Sequence, residues 1–310
     1  MSQYPSAERH PFVSMLLLLM LALAGAIVFT IIGLAIGGAL YGMKPMLEGL
    51  AGTQTNLNLL KLIQIFSSTG MFIFPVLLFA RMQSKRWMDY LKLDRFSMFL
   101  LLLTILIMFS SMPILEWSTE LNKSMKLPGF LKGLEDWMFN QEKQLAELTK
   151  QLLSMNSITD LLVNLLMLAV IPAIGEELFF RGGLQQLFNK WFRNHHVAIW
   201  LTAIIFSAIH LQFYGFLPRM LLGALFGYLF VWSKSLWLPI LAHFINNASA
   251  VIIAYIYQRK GIPLDKLDQA EPIKWYIYLI SFVSVSALLW FFYKQSLRQK
   301  VQTAELPDGD

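Results

Sequence analysis

Pro172-Ala-Ile-Gly-Glu-Glu-Leu-Phe-Phe-Arg-Gly-Gly183 places two adjacent carboxylates and a guanidinium at the end of an apolar run, Leu161 to Ile174. Charged groups inside or at the edge of hydrocarbon are costly unless they are paired or used, so the stretch reads first as a functional one. On a helix Glu177 and Arg181 stand four apart on one face, with the acid N-terminal, the favourable order for an ion pair. Glu176 projects about 100° away from Glu177. The helix therefore supplies Arg181 to Glu177 alone. A carboxylate held in low dielectric away from a counter-charge is how proteins turn a Glu into a general base or acid near neutral pH.

The rest of the chain has the same apolar character. Of its 310 residues 56% are hydrophobic and only 14% charged, which belongs to a polytopic membrane protein rather than a soluble domain. The absence of cysteine excludes disulfides, thiolate metal sites and Cys nucleophiles. The formal charge of +6 sits mostly in short loops beside apolar runs. That placement sets membrane topology and gives no reason to expect a nucleic-acid partner.

Working outward, the polar residues 1–11 precede a charge-free run from Phe12 to Tyr41, longer than the roughly 20 residues needed to span. Ala22-Leu-Ala24 resembles a signal-peptidase site, but the apolar run continues well past it, so a retained first helix is expected. Gly33 and Gly37 form a GxxxG spacing that admits a second helix. A second span, Leu57 to Ala80, leads into the loop 81–96, where Arg81, Lys85, Arg86, Lys92 and Arg95 outnumber Asp89 and Asp94. A third span follows, Ser97 to Leu115. The polar segment 116–157 holds Leu134, Trp137, Met138, Gln141, Leu145, Leu148 and Leu152 at three- and four-residue steps. This is an amphipathic helix, lying in the interface, capping the bundle, or solvated and packed on neighbouring loops.

The fourth span runs from Ile158 to Ile174 and continues as a helix to about Lys190. Further spans cover Val197 to Phe213, Leu217 to Trp232 with a second GxxxG at Gly223 and Gly227, Leu236 to Tyr257, and Trp275 to Tyr293. The expected fold is an all-α bundle of about eight transmembrane helices. The basic segments 81–96 and 181–196 and the tail Lys294, Arg298 and Lys300 then face the cytoplasm with both termini, and 116–157 and 258–272 face the opposite side.

Two histidines fall within these spans, in Phe206-Ser-Ala-Ile-His210 and His243-Phe-Ile-Asn-Asn247, each pair sharing a helix face. A single buried His is more often a helix-to-helix hydrogen-bond partner than a catalyst. Two of them with a Glu pair change the reading. Hydrolysis needs a base to take a proton from water, an imidazole to share it, and donors for a tetrahedral oxyanion. Asn246 adjoins Asn247, and spacing does not choose between them. The zinc-protease HExxH pattern is absent, no Asp lies deep in a span, and no GxSxG elbow surrounds Ser207. Counted along straight helices, His210 and His243 lie at different depths, about 20 Å and about 10 Å from the cytoplasmic starts of their spans; tilt, broken ends or a different boundary for the fifth span would bring them level, and Gly215 with Pro218 marks a short break soon after His210.

Glu176-Glu177-x-x-x-Arg181, Phe206-x-x-x-His210 and His243-x-x-x-Asn247, in this order on consecutive apolar segments, resemble the three signature motifs of the CPBP intramembrane proteases, the CAAX-protease and bacteriocin-processing (Abi) family. The likeness covers about residues 160–250 and includes the Phe-Arg-Gly-Gly after the glutamates and the Ser-Leu-Trp-Leu-Pro before His243; residues 1–155 carry no assignable motif. It implies a helical bundle around a polar chamber inside the membrane. Glu176 would activate water, His210 assist it, His243 and Asn247 stabilise the oxyanion, and Arg181 hold Glu177. It divides the chain into N-terminal helices at 1–155, a catalytic core at 156–257, and a last helix with a cytoplasmic tail at 258–310.

The implied activity is an intramembrane endopeptidase acting on a peptide or protein, prenylated or not, from within the lipid bilayer. Eukaryotic members cleave prenylated CaaX proteins, and many bacterial members are tied to peptide processing or bacteriocin self-immunity. The membrane would be the plasma membrane in a prokaryote and the endoplasmic reticulum in a eukaryote. Glu176, His210 and His243 also have the composition of a His₂Glu zinc site, but the Asn beside His243 suits an oxyanion donor and favours a metal-free mechanism. The rival expectation is a non-catalytic transporter, immunity protein or scaffold that uses the same cluster for binding; no internal repeat supports transport.

Overall fold

The computed structural model describes residues 9–50, 56–93, 96–269 and 273–305. Asp94 and Arg95 of the basic loop and the side chain of Lys300 lie outside the described residues. Among the described residues every regular element is a helix. The principal ones are α1 (Pro11–Tyr41), α2 (Leu57–Gln83), α3 (Met98–Ser124), α4 (Lys132–Leu152), α5 (Ile158–Phe192), α6 (His195–Ala208), α7 (Phe216–Ser233), α8 (Trp237–Arg259) and α9 (Trp275–Glu305).

Seven of these are long and apolar enough to cross a membrane. The eighth expected span is α6, whose 14 residues reach roughly 21 Å at about 1.5 Å per residue, short of a hydrocarbon core of roughly 30 Å. The chain is an all-α, multi-pass membrane protein. Its outer surface agrees: Met20, Leu23 and Ile27 on α1 and Ile280, Phe282 and Val283 on α9 are exposed aliphatic or aromatic side chains, which lipid rather than water solvates.

Local chemistry explains the starts of α1 and α2. Pro11 occupies the first turn of α1, where a missing N–H costs nothing, and His10 Nδ1 accepts from Phe12 N at 3.2 Å. Asn56 Oδ1 caps α2, accepting from the Asn58 and Leu59 amides at 3.1 Å. Within α2 a π-turn spans Thr69–Ile73, just before Pro75, whose ring cannot donate into the ladder. α3 runs past the expected end at Leu115 to Ser124, because Pro113 is absorbed without ending it.

By internal contacts the chain forms two compact units, 1–92 with 175–202, and 93–174 with 203–310. In the first, α1 and α2 meet along small residues. A Cβ on Gly25 would stand 2.1 Å from the Gly70 carbonyl oxygen, and one on Gly37 2.3 Å from Leu59 Cδ1, so the GxxxG face of α1 does receive a neighbouring helix. Gly175 packs on the π-turn of α2, where a Cβ would meet Phe72 Cβ at 2.9 Å. In the second unit, Leu100, Ile107 and Met108 of α3, Phe226 and Leu229 of α7, Leu238 and Ala242 of α8 and Phe292 of α9 form one core.

The amphipathic pattern of 116–157 resolves into the tail of α3 and the separate helix α4. No residue of α4 is buried. It is anchored at its ends and flank: Lys150 pairs with Asp265, Trp137 meets the Phe213 ring at 5.5 Å between centroids, and Glu142 Oε2 accepts from Tyr214 N at 3.4 Å. It therefore packs on neighbouring loops, and specifically on the turn at 213–215.

Candidate active site

In the first unit the glutamate motif stands on α5 where the helix widens into a π-segment, Leu178–Gln185. Such widenings re-aim side chains by changing the residues per turn. Glu177 and Arg181 are both 0% exposed, and Arg181 Nη1 donates to Glu177 Oε1 at 2.7 Å. This is the pair that i, i+4 spacing predicts. Two fully buried opposite charges are tolerated because each neutralises the other; removing one typically costs about 3–5 kcal/mol. Glu176 is only half-buried. Glu177 is thus hydrogen-bonded to Arg181 inside the helix packing, while Glu176, one position earlier, is the less completely buried of the two and acts on the same guanidinium through space.

Small residues and a carbonyl bond hold this segment. A Cβ on Gly183 would stand 2.9 Å from Leu18 Cδ2, so the glycine admits α1. Gln186 Nε2 donates to the Gly182 carbonyl at 2.7 Å and to the Tyr90 carbonyl at 2.9 Å, tying α5 to the short helix Trp87–Tyr90 in the basic loop. Tyr90 is itself enclosed, and burial pushes its phenol up to about 12.

In the second unit both motif histidines touch Phe206. His243 is 4% exposed on α8; its ring stacks on Phe226 at 5.3 Å and meets Phe206 edge-on at 5.9 Å. The His210 ring lies 5.1 Å from Phe206, and its Nδ1 is 2.7 Å from the Phe206 carbonyl oxygen. A carbonyl only accepts, so Nδ1 carries the proton and Nε2 is the acceptor of the neutral ring. Both histidine rings thus reach the same phenylalanine, and the expected break after His210 is present. The helix stops at Ala208 rather than running to Phe213, and His210 follows it in a turn whose next residue, Leu211, has φ 53°.

Asn247 is oriented from two sides. Its Nδ2 donates to the Leu168 carbonyl at 3.0 Å, and its Oδ1 accepts from Asn246 Nδ2 at 3.0 Å. Leu168 belongs to a second π-segment of α5, Leu166–Val170. Asn246, indistinguishable from Asn247 by spacing, is thus the residue that fixes its neighbour's amide. Ser207 Oγ donates to the Phe216 carbonyl at 2.7 Å, which ties the end of α6 to the start of α7. Glu176, Glu177 and Arg181 belong to the first unit and His210, His243 and Asn247 to the second. Among the described residues no group of three or more His, Asp or Glu is arranged to hold a metal ion.

The second unit also holds an apolar cavity of about 270 Å³, lined by Val170, Ala173, Ile174, Trp237, Ile240 and Phe244 among others. Ile240 and Phe244 flank His243 on α8. Trp237 Nε1 donates to the Leu93 carbonyl at 3.3 Å, which holds the indole at the wall.

Residues 158–249 match the family model described as type II CAAX prenyl endopeptidase, Rce1-like. This segment contains all three motifs, so the resemblance drawn from them is borne out. A Bacillus subtilis (strain 168) protein described as the uncharacterized protein YpbD is 29% identical over 110 residues, covering 34% of this chain and 52% of that protein. The chain thus spans about half the length of the curated relative it matches. No solved structure matches it.

Proposed function

We propose, on the match of residues 158–249 to the Rce1-like type II CAAX prenyl endopeptidase model, that this chain is an intramembrane endopeptidase that hydrolyses a peptide bond with Glu-activated water. Glu176 takes a proton from water, and the water oxygen attacks the scissile carbonyl carbon. The oxyanion that forms is held by His243 and by the Asn247 amide, which still has an N–H to give after its bond to Leu168. Collapse of the tetrahedral species breaks the C–N bond, and the proton taken by Glu176, shared through His210, passes to the leaving amine. Glu177 does not take part in proton transfer; its charge is spent on Arg181.

The observation that carries the reading is that one matched segment holds Glu176, His210, His243 and Asn247, while the second glutamate is locked in a buried ion pair. The apolar cavity on the Trp237–Phe244 face of α8 supports a substrate with a large apolar group, prenylated or not. The purified protein in detergent, offered a peptide library, should cleave a subset that Glu176→Ala leaves intact. Equal cleavage by both proteins, or by neither, overturns the reading.

No step of this mechanism requires a metal. If zinc were the cofactor, Glu176, His210 and His243 are the residues that would hold it, and it would supply the acidity of the bound water. Metal analysis of active, chelator-washed protein separates the two versions. Stoichiometric zinc, with activity lost on stripping and restored on re-addition, overturns the metal-free one.

A further inference from the structure

The loop that carries His210 is fastened from a distance by a residue outside the three motifs. After α6 ends at Ala208, the chain turns through Leu211 at φ 53°, makes a 3-10 turn at Phe213–Gly215, and enters α7. A non-glycine residue with positive φ persists only where its surroundings over-determine it. Those surroundings begin with Asn122 of α3, which is 8% exposed. Its Nδ2 donates to the Phe213 carbonyl at 3.0 Å, and its Oδ1 accepts from the Leu217 amide at 2.6 Å.

One amide thus bridges both ends of the turn. The Leu217 amide belongs to the first turn of α7, where backbone donors have no carbonyl of their own helix to meet, so Asn122 caps α7 from another helix. Two bonds within the loop support it. Ser207 Oγ donates to the Phe216 carbonyl at 2.7 Å, and Arg219 Nη2 donates to Gln212 Oε1 at 2.6 Å. Gly215 leaves room for that guanidinium, since a Cβ there would stand 3.3 Å from Nη2. The backbone on the far side of His210 is therefore pinned at 213, 216 and 217, while its ring is held by the Phe206 carbonyl.

We propose that Asn122 is the positioning residue for His210: by closing the 213–217 turn onto α3, it sets where the imidazole stands. The proposal rests on the reading of His210 as a participant in proteolysis. Removing the amide should let the loop shift. Misplacement of a catalytic group by about 1 Å costs on the order of 10²-fold in rate. The loss should fall on kcat rather than KM, because Asn122 lies outside the apolar cavity.

The test uses the full chain in detergent and a peptide that the wild type cleaves, with Asn122→Ala, Asn122→Asp and, as a control, Glu176→Gln. Asn122→Ala is expected to lower kcat roughly 10- to 100-fold with KM nearly unchanged, in a protein that still elutes as a monodisperse species. Asn122→Asp keeps the acceptor for Leu217 N but donates to the Phe213 carbonyl only when protonated. Its activity relative to wild type should therefore rise as the pH falls, which simple loss of packing would not produce. Wild-type kcat and pH profile in both variants, with Glu176→Gln inactive, overturns the positioning role. A second readout is the rate of carbethoxylation at His210, with His243 as the internal reference. Asn122→Asp, or Asn122→Ala if it accumulates, should change the His210 rate several-fold. An unchanged ratio overturns the proposal. If the wild type cleaves nothing, or Glu176→Gln cleaves equally, the proteolysis reading has failed, and the carbethoxylation ratio still decides whether Asn122 holds the loop.

Discussion

Glu176 and Glu177 are neighbours that act on the same Arg181, and they differ in burial and in which one bonds it directly. Glu177 is 0% exposed and bound to Arg181 at 2.7 Å, whereas Glu176 is half-buried. If Glu176 is the base, Glu176→Gln should lose about 10²–10⁴-fold in kcat, toward the upper end because the same group generates the nucleophile, with folding retained. Glu177→Gln should show mainly a loss of stability. Turnover of both variants on a confirmed substrate, after a check of monodispersity, decides the assignment; if Glu177→Gln is the inactive one, the two glutamates have exchanged roles. Arg181→Ala leaves the buried Glu177 without its counter-charge and should cost about 3–5 kcal/mol, read as a lower melting temperature and poor accumulation. Arg181→Lys should restore part of the loss. A melting temperature unchanged in Arg181→Ala would remove the structural role.

At the scale of the helix, irregularity sits beside the functional groups. α5 contains two π-segments; the first includes the Leu168 carbonyl that receives Asn247, and the second contains Arg181. α2 has its own π-turn, against which Gly175 packs. Close packing makes such contacts sensitive to a single methyl. A Cβ on Gly70 would stand 2.4 Å from the Gly25 carbonyl oxygen and from Phe29 Cβ, so Gly70→Ala should separate α1 from α2 at a cost of at least about 1–3 kcal/mol. Gly129→Ala, with nothing within 4 Å of the added carbon, is the matched control and should leave the melting temperature unchanged. Equal melting temperatures for the two variants would mean that the α1–α2 approach does not limit stability.

For the whole molecule, the charge of the loops sets the orientation in the bilayer. The loop after α2 is the most basic of the chain and should be cytoplasmic, and α4 lies one span further on. Reporter fusions at Lys92 and Lys143 should therefore report opposite sides; the same side for both would mean that α3 does not cross. Much of this architecture was legible in the residues. The uncharged stretches from Phe12 to Tyr41 and from Leu57 to Ala80 exceed the length of a span, and hydrocarbon leaves a helix as the only open conformation for them. The Glu177–Arg181 pair was legible for a similar reason: four residues along a helix put both groups on one face whatever surrounds them. The end of α6 was not legible. An apolar run from Val197 to Phe213 looks like one span, yet the helix stops at Ala208, and Asn122, 91 residues earlier than Phe213, takes up the Phe213 carbonyl and the Leu217 amide that an unbroken helix would have joined to each other. For the same reason, spacing did not separate Asn246 from Asn247, whose roles depend on a carbonyl released 79 residues away. By itself the sequence determined the helical class, the membrane, the motif residues and the local ion pair, all consequences of solvent and of contacts within one or two turns. The tertiary structure alone decided how the turn after α6 is closed and how the Asn247 amide is turned, because each depends on a group brought in from elsewhere in the chain.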